Sequence, residues 1–93
     1  MVVAILRVVL FISNSNSLKT KRMVLHSLKT RLRNKFNIAI SEVGDEDKWQ
    51  KSTLAIASVQ KERRNTDRQF SHIINFIENF HQASIVDYEM EII

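Results

Sequence analysis

From Val2 to Ile12 the chain is apolar on both alternations, broken once by Arg7, and a strand of that kind is stable only with both faces covered. Ala4, Leu6, Val8 and Leu10 fall on one face, Val3, Ile5, Val9 and Phe11 on the other. The pattern places this segment in the middle of a sheet. In a chain of 93 residues, little else is available to cover it.

The polar cluster Ser13 to Ser17 ends the strand, and Ser17 is a suitable N-cap. A helix follows from about Leu18 to Lys35, with Leu18, Val24, Leu25, Leu28, Leu32 and Phe36 on one arc. Asn37 stops it, and Ile38 to Val43 alternates as a short strand. Gly44, the sole glycine, is the expected positive-φ residue. A polar loop, Asp45 to Gln50, carries Trp49 and leads to a strand from Thr53 to Gln60. Lys61 to Arg64 reads as a charged loop with Asn65 or Thr66 as the next cap. Phe70, Ile73, Ile74, Ile77 and Phe80 mark a second helix ending near His81. The closing segment alternates Val86, Tyr88, Met90 and Ile92 with Asp87, Glu89 and Glu91, as in an edge strand guarded by charge.

The order βαββαβ predicts one α+β domain over residues 1–93: a ferredoxin-like sandwich, with two helices on one face of a four-stranded antiparallel sheet. The first and third strands are then central. Val3, Ile5, Val9 and Phe11 project from the face without helices, and a second copy is the simplest cover for them, making a homo-oligomer. The Trp49 loop folding over them is the alternative. Arg7 on that face is expected to pair with Glu89 or Glu91.

The net charge is +4, and between Lys19 and Lys35 there are seven Lys or Arg and no acid. Lys19, Arg22, His26, Lys29 and Arg33 recur every three or four residues along one stripe, a rail for phosphates, with Arg63 and Arg64 beside Lys61 and Arg68 extending it. The third strand lacks the aromatic rings that stack RNA bases, so contact with the backbone is favoured over base reading. Cysteine is absent, and His26, His72 and His81 have no metal-ligand spacing, so no metal or cofactor is expected. No run of eighteen apolar residues is present, and the apolar start lacks a signal-peptide pattern. The expectation is a cytoplasmic, non-catalytic module without membrane or small-molecule partners.

Val2-Val3, Ser17 to Arg22, Arg31 to Asn37, Glu42-Val43-Gly44, Trp49-Gln50 and Val86 to Glu89 together resemble the YlxP-like family of small uncharacterised bacterial proteins. The resemblance implies a ferredoxin-like fold, no assigned catalysis, and a gene often beside translation-initiation and ribosome-maturation genes. Thr20 stands where the family more often has Glu, so a reciprocal capping box with Ser17 is lost. The favoured reading is a binding module for RNA or a ribonucleoprotein, working through the first helix. The alternative is an adaptor assembling through the open sheet face. A remote alternative, an acylphosphatase-like phosphate site at Asn14 to Lys19, lacks the glycine-rich cradle and its arginine.

Overall fold

The computed structural model describes residues 1–93 as β1 (Val2–Phe11), α1 (Leu18–Lys35), β2 (Ala39–Gly44), β3 (Lys51–Gln60), α2 (Arg63–Glu78) and β4 (Ser84–Ile92). The strands form one antiparallel sheet in the order β2-β3-β1-β4, so β1 and β3 are central and the fold is the ferredoxin-like sandwich. Ala4, Leu6, Val8 and Leu10 are all at most 1% exposed. With Leu28 and Leu32 of α1 and Ile73 and Ile77 of α2 they belong to a core of 17 buried residues. No helix is long and apolar enough to cross a membrane.

Several boundaries differ from the sequence reading. β1 ends at Phe11 rather than Ile12, β2 spans Ala39–Gly44 rather than Ile38 to Val43, and β3 begins at Lys51 rather than Thr53 because Lys51 pairs with Phe11. Helix α2 starts at Arg63, capped by the backbone of Glu62 without a side-chain bond. Asn65 and Thr66 both lie inside the helix, Thr66 fully buried one turn before Phe70, so neither is the cap. The helix ends at Glu78, where Asn79 closes it by donating its side-chain amide to the Asn75 carbonyl at 2.8 Å. The chain then turns to bury Phe80 and Ala83. In β4 the register slips between Val9 and Leu10, so Ile85 sits beside Leu10 and Val86 is left outside the ladder, 64% exposed.

Gly44 does not carry the positive φ; Asp45 does, at 61°. Aspartate tolerates the left-handed region because its short carboxylate bonds locally. Here that carboxylate accepts from the Thr53 hydroxyl at 2.9 Å and pairs with Lys48 at 3.3 Å. Glycine at position 44 serves closeness instead, since a Cβ there would stand 3.2 Å from Thr53 Cβ, tight enough that Thr53 would have to shift. A bulge next to Gly44 turns the chain into the Asp45 loop.

That loop is fastened by Lys21, whose side chain is wholly buried. Its ammonium donates to the carbonyls of Asp45 at 2.8 Å, Glu46 at 3.2 Å and Lys51 at 3.2 Å. It also meets the Glu42 carboxylate at 3.1 Å, and Ser52 donates to the same carboxylate oxygen at 2.7 Å. A cation without water is tolerable only when donors and charge are both matched, and four acceptors for three N–H groups do this. The first turns of α1 are thereby tied to the β2–β3 hairpin.

Two stability predictions follow from this clasp. Lys21→Met keeps the apolar stem but leaves the Glu42 carboxylate with the Ser52 bond alone and takes a donor from the carbonyls of Asp45, Glu46 and Lys51, and should cost about 3 kcal/mol. Urea unfolding checks it, and a loss under about 1 kcal/mol would contradict the clasp. The Asp45 carboxyl is held below its ordinary 3.8, first by the Thr53 hydroxyl bond and then by Lys48 and Lys51, with desolvation opposing. A depressed carboxyl stabilises the fold above its unfolded value and loses that contribution as pH falls through the folded one. Wild type should therefore exceed Asp45→Asn in unfolding midpoint at neutral pH, and the gap should close below about pH 4.

Candidate functional site

Helix α1 forms because Ser17, extended at φ −164° and ψ 163°, accepts from the Thr20 amide at 3.1 Å. The Ser17 hydroxyl in turn donates to Thr20 Oγ1 at 3.0 Å, and Thr20 Oγ1 donates to Asn16 Oδ1 at 3.4 Å. A chain of hydroxyls stands where a glutamate would have reached back. No acid occupies the first turn, so the positive end of the helix dipole is not offset by a side chain.

The seven Lys and Arg of α1 divide into distinct groups. Lys21 is spent inside the clasp. Arg33 donates to the Ile40 carbonyl at 3.1 Å and fastens the helix end to β2. The Arg31 guanidinium lies 5.5 Å from the centre of the Phe80 ring, and the Lys35 ammonium lies 5.3 Å from that of Phe76. Lys19, Arg22 and Lys29 remain, and none of them is in an ion pair. Lys19, Arg22 and His26 are exposed on the outer side of the helix, and Lys29, half-buried, continues the stripe along the flank of the buried arc.

Of the expected extension, Arg63 pairs with Asp67 at 3.5 Å and Arg64 with Glu62 at 3.0 Å. Each brings its own counter-charge. Because Val2 pairs with Gln60 and Phe11 with Lys51, α1 starts at the Phe11 end of the sheet and α2 at the Val2 end. Lys19 and Arg22 are thus separated from Arg63 and Arg64 by about the length of β1, roughly 30 Å.

The sheet face without helices carries the expected β1 residues. Val3, Ile5 and Val9 are half-buried and Phe11 is 42% exposed. Arg7, between Ile5 and Val9, meets Glu89 at 3.1 Å across the β1–β4 register, and Glu91 stands beside Ile5. Small residues flank the β1 row: Ala55 and Ala57 on β3, with Ala39 and Ser41 on β2. They floor a shallow hollow of about 250 Å³ beside Ile5. The Trp49 loop is tied towards the helix layer through Lys21, and Trp49 stays 56% exposed.

At Asn14 to Lys19, Ser15 is buried and donates to the Ser17 carbonyl at 3.0 Å. No three His, Cys, Asp or Glu side chains gather as metal ligands anywhere in the chain. Two features escaped the sequence reading. Lys21 was legible in principle, for it stands three and four residues before Val24 and Leu25, inside the buried arc. The second is a groove between α2 and β4, which no sequence spacing announces because it depends on how far α2 reaches across the sheet.

The architecture and the basic outer helix define a small ferredoxin-like α+β domain with an unpaired cationic surface. The chain belongs to the family described as Protein of unknown function (DUF503), whose pattern matches residues 3–90. It is 42% identical over 69 residues to the Uncharacterized protein YlxP of Bacillus subtilis (strain 168), a stretch covering 74% of this chain and 75% of that protein.

Proposed function

We propose that this protein is a non-catalytic module that grips the phosphate backbone of RNA, alone or within a ribonucleoprotein such as the ribosome, through the outer face of α1. One observation carries the reading. Lys19, Arg22 and Lys29 are the cations of α1 left with neither an acid, a carbonyl nor an aromatic ring, and with His26 they share one helix face. From Lys19 to Lys29 the helix rises about 15 Å, the span of on the order of four phosphates along one strand. Between Lys19 and Lys29 that face carries no Phe, Tyr or Trp, and its one ring is His26, so the contact is mainly to the backbone and positions without reading sequence.

Filter binding of ribosomal RNA fragments over a salt series tests this with the K19A/R22A/K29A variant. Wild type should bind more tightly, and its log–log salt slope should exceed the variant's by about 2 in magnitude, from three lost contacts at ~0.7 each. Equally weak binding by both proteins would sink the reading.

The open face supports a second property, self-association. Val3, Ile5, Val9 and Phe11 form a ridge, and Ala55, Ala57, Ala39 and Ser41 the trough beside it. A two-fold axis parallel to the strands and between β1 and β3 would lay the ridge of each copy in the trough of the other. β4 would then lie over the partner's β2, leaving Asp87, Glu89 and Glu91 at the wet rim. Strands of 10, 6, 10 and 9 residues give about 550 Å² of sheet per copy, below the ~800 Å² per partner of a standard interface. Light scattering should return twice the 10.9 kDa chain mass, and Ile5→Lys should return the single mass with an unchanged circular dichroism spectrum. A wild type that stays at 10.9 kDa near 100 µM, about the upper range of weak dimers, would overturn the assembly.

A further inference from the structure

The outer edge of β4 is open backbone. The strand has β1 on one side and nothing on the other, and of its nine residues only Ile85 is not exposed. Its far-side N–H and C=O groups therefore have no strand beside them. The two faces of this edge differ sharply in chemistry.

On the helix side, the register sets Tyr88 beside Val8 and Met90 beside Leu6. Yet Tyr88 is 55% and Met90 38% exposed, because α2 does not reach over them. Between them and α2 runs a groove of about 470 Å³, lined by Phe70, Ile74, Tyr88 and Met90 together with Asp67 and Glu78, and by no cation. On the opposite face stand Asp87, Glu89 and Glu91, of which only Glu89 is in an ion pair.

A second copy does not fit this edge. Two β4 strands side by side would crowd three carboxylates against three others, and directly opposed like charges destabilise a ladder. The other edge strand, β2, brings no cation, only Ala39 and Ser41 on the open face and Ile40 and Glu42 towards the core. The cations of α1 sit on a helix and cannot offer ladder bonds.

We infer that β4 takes a fifth strand from another protein: an extended segment in which Lys or Arg alternates with apolar residues. Strand addition supplies the hydrogen bonds, and alternate side chains supply the choice of partner. The basic set falls opposite Glu89 and Glu91, and the apolar set falls over the groove beside Tyr88 and Met90. The carboxylates that keep copies of this chain apart are the ones that admit a basic strand.

The probe is a synthetic nine-residue peptide alternating Lys with Val and Leu, matched in length to β4. Two controls accompany it, one with the same composition but all lysines at one end, and one with Glu replacing Lys. Binding to the full chain is followed by fluorescence anisotropy, and β4 amide exchange by NMR. The alternating Lys peptide should bind and slow exchange of the Met90 and Ile92 amides, which point away from β1 and are open where that of Tyr88 already donates to the Asp87 carboxylate. The two controls should not, and E89Q/E91Q should weaken binding about tenfold. K19A/R22A/K29A should leave it unchanged, so failure here is separable from failure of the RNA reading. No binding, equal binding of the rearranged peptide, or Met90 and Ile92 amides already protected in the free protein would overturn the inference.

Discussion

The buried ammonium of Lys21 fixes more of this molecule than its one charge suggests. It reaches from the second turn of α1 to three carbonyls at the start and end of the β2–β3 loop, and to Glu42 on β2. Leaving water costs an ion several kcal/mol, so a buried lysine persists only where every donor is met. That demand orders the Asp45 loop, whose left-handed residue and Thr53 bond would otherwise serve no common purpose. It also shares one arc with Val24, Leu25, Leu28 and Leu32, all buried. The rotation that places this arc inside is the rotation that places Lys19, Arg22 and His26 outside.

Charge in this chain is sorted by element. Half of the ten acids lie on α2 and β4, at Asp67, Glu78, Asp87, Glu89 and Glu91, while α1 has none. The net +4 is therefore a poor description of what any partner would meet. A polyanion would find free cations on the outer side of α1, and a polycation would find carboxylates along β4. Within α1, the unpaired charges are those for which the fold has found no structural use, and that subtraction is visible only with coordinates.

The two-faced apolar pattern of β1 was enough to place it centrally, and the charge alternation of β4 to place it at an edge. The Arg7–Glu89 pair followed from those two assignments, with register choosing Glu89 over Glu91. The misreadings share a cause. Gly44 was assigned the positive φ as the sole glycine, yet Asp45 takes it because Thr53 and Lys48 hold its carboxylate, a contact between strands. Thr66 looked like a cap from its residue type, but the helix begins three residues earlier and buries it. Val86 was placed with Tyr88 by strict alternation, and one bulge moved Ile85 into that role. Arg33 has the spacing of a free cation, yet at the end of α1 it donates to the Ile40 carbonyl. Local spacing carries element type and face; it does not carry which polar groups meet across elements.

The surfaces argued here do not compete. A dyad on the open face turns both helix layers outward, so two copies of the α1 rail would point away from the interface on opposite sides. The same dyad leaves each β4 at the rim, above the partner's β2, with its far edge still open to a strand approaching in the plane of the sheet. A fifth strand would extend the sheet beyond the area that the partner covers, and its basic residues would lie next to carboxylates already in water. One small fold would thus separate the three proposed contacts by layer: phosphate on the helix layer, its own copy on the open face, and an extended chain along the edge. Each rests on different residues, and the loss of one leaves the geometry of the other two intact.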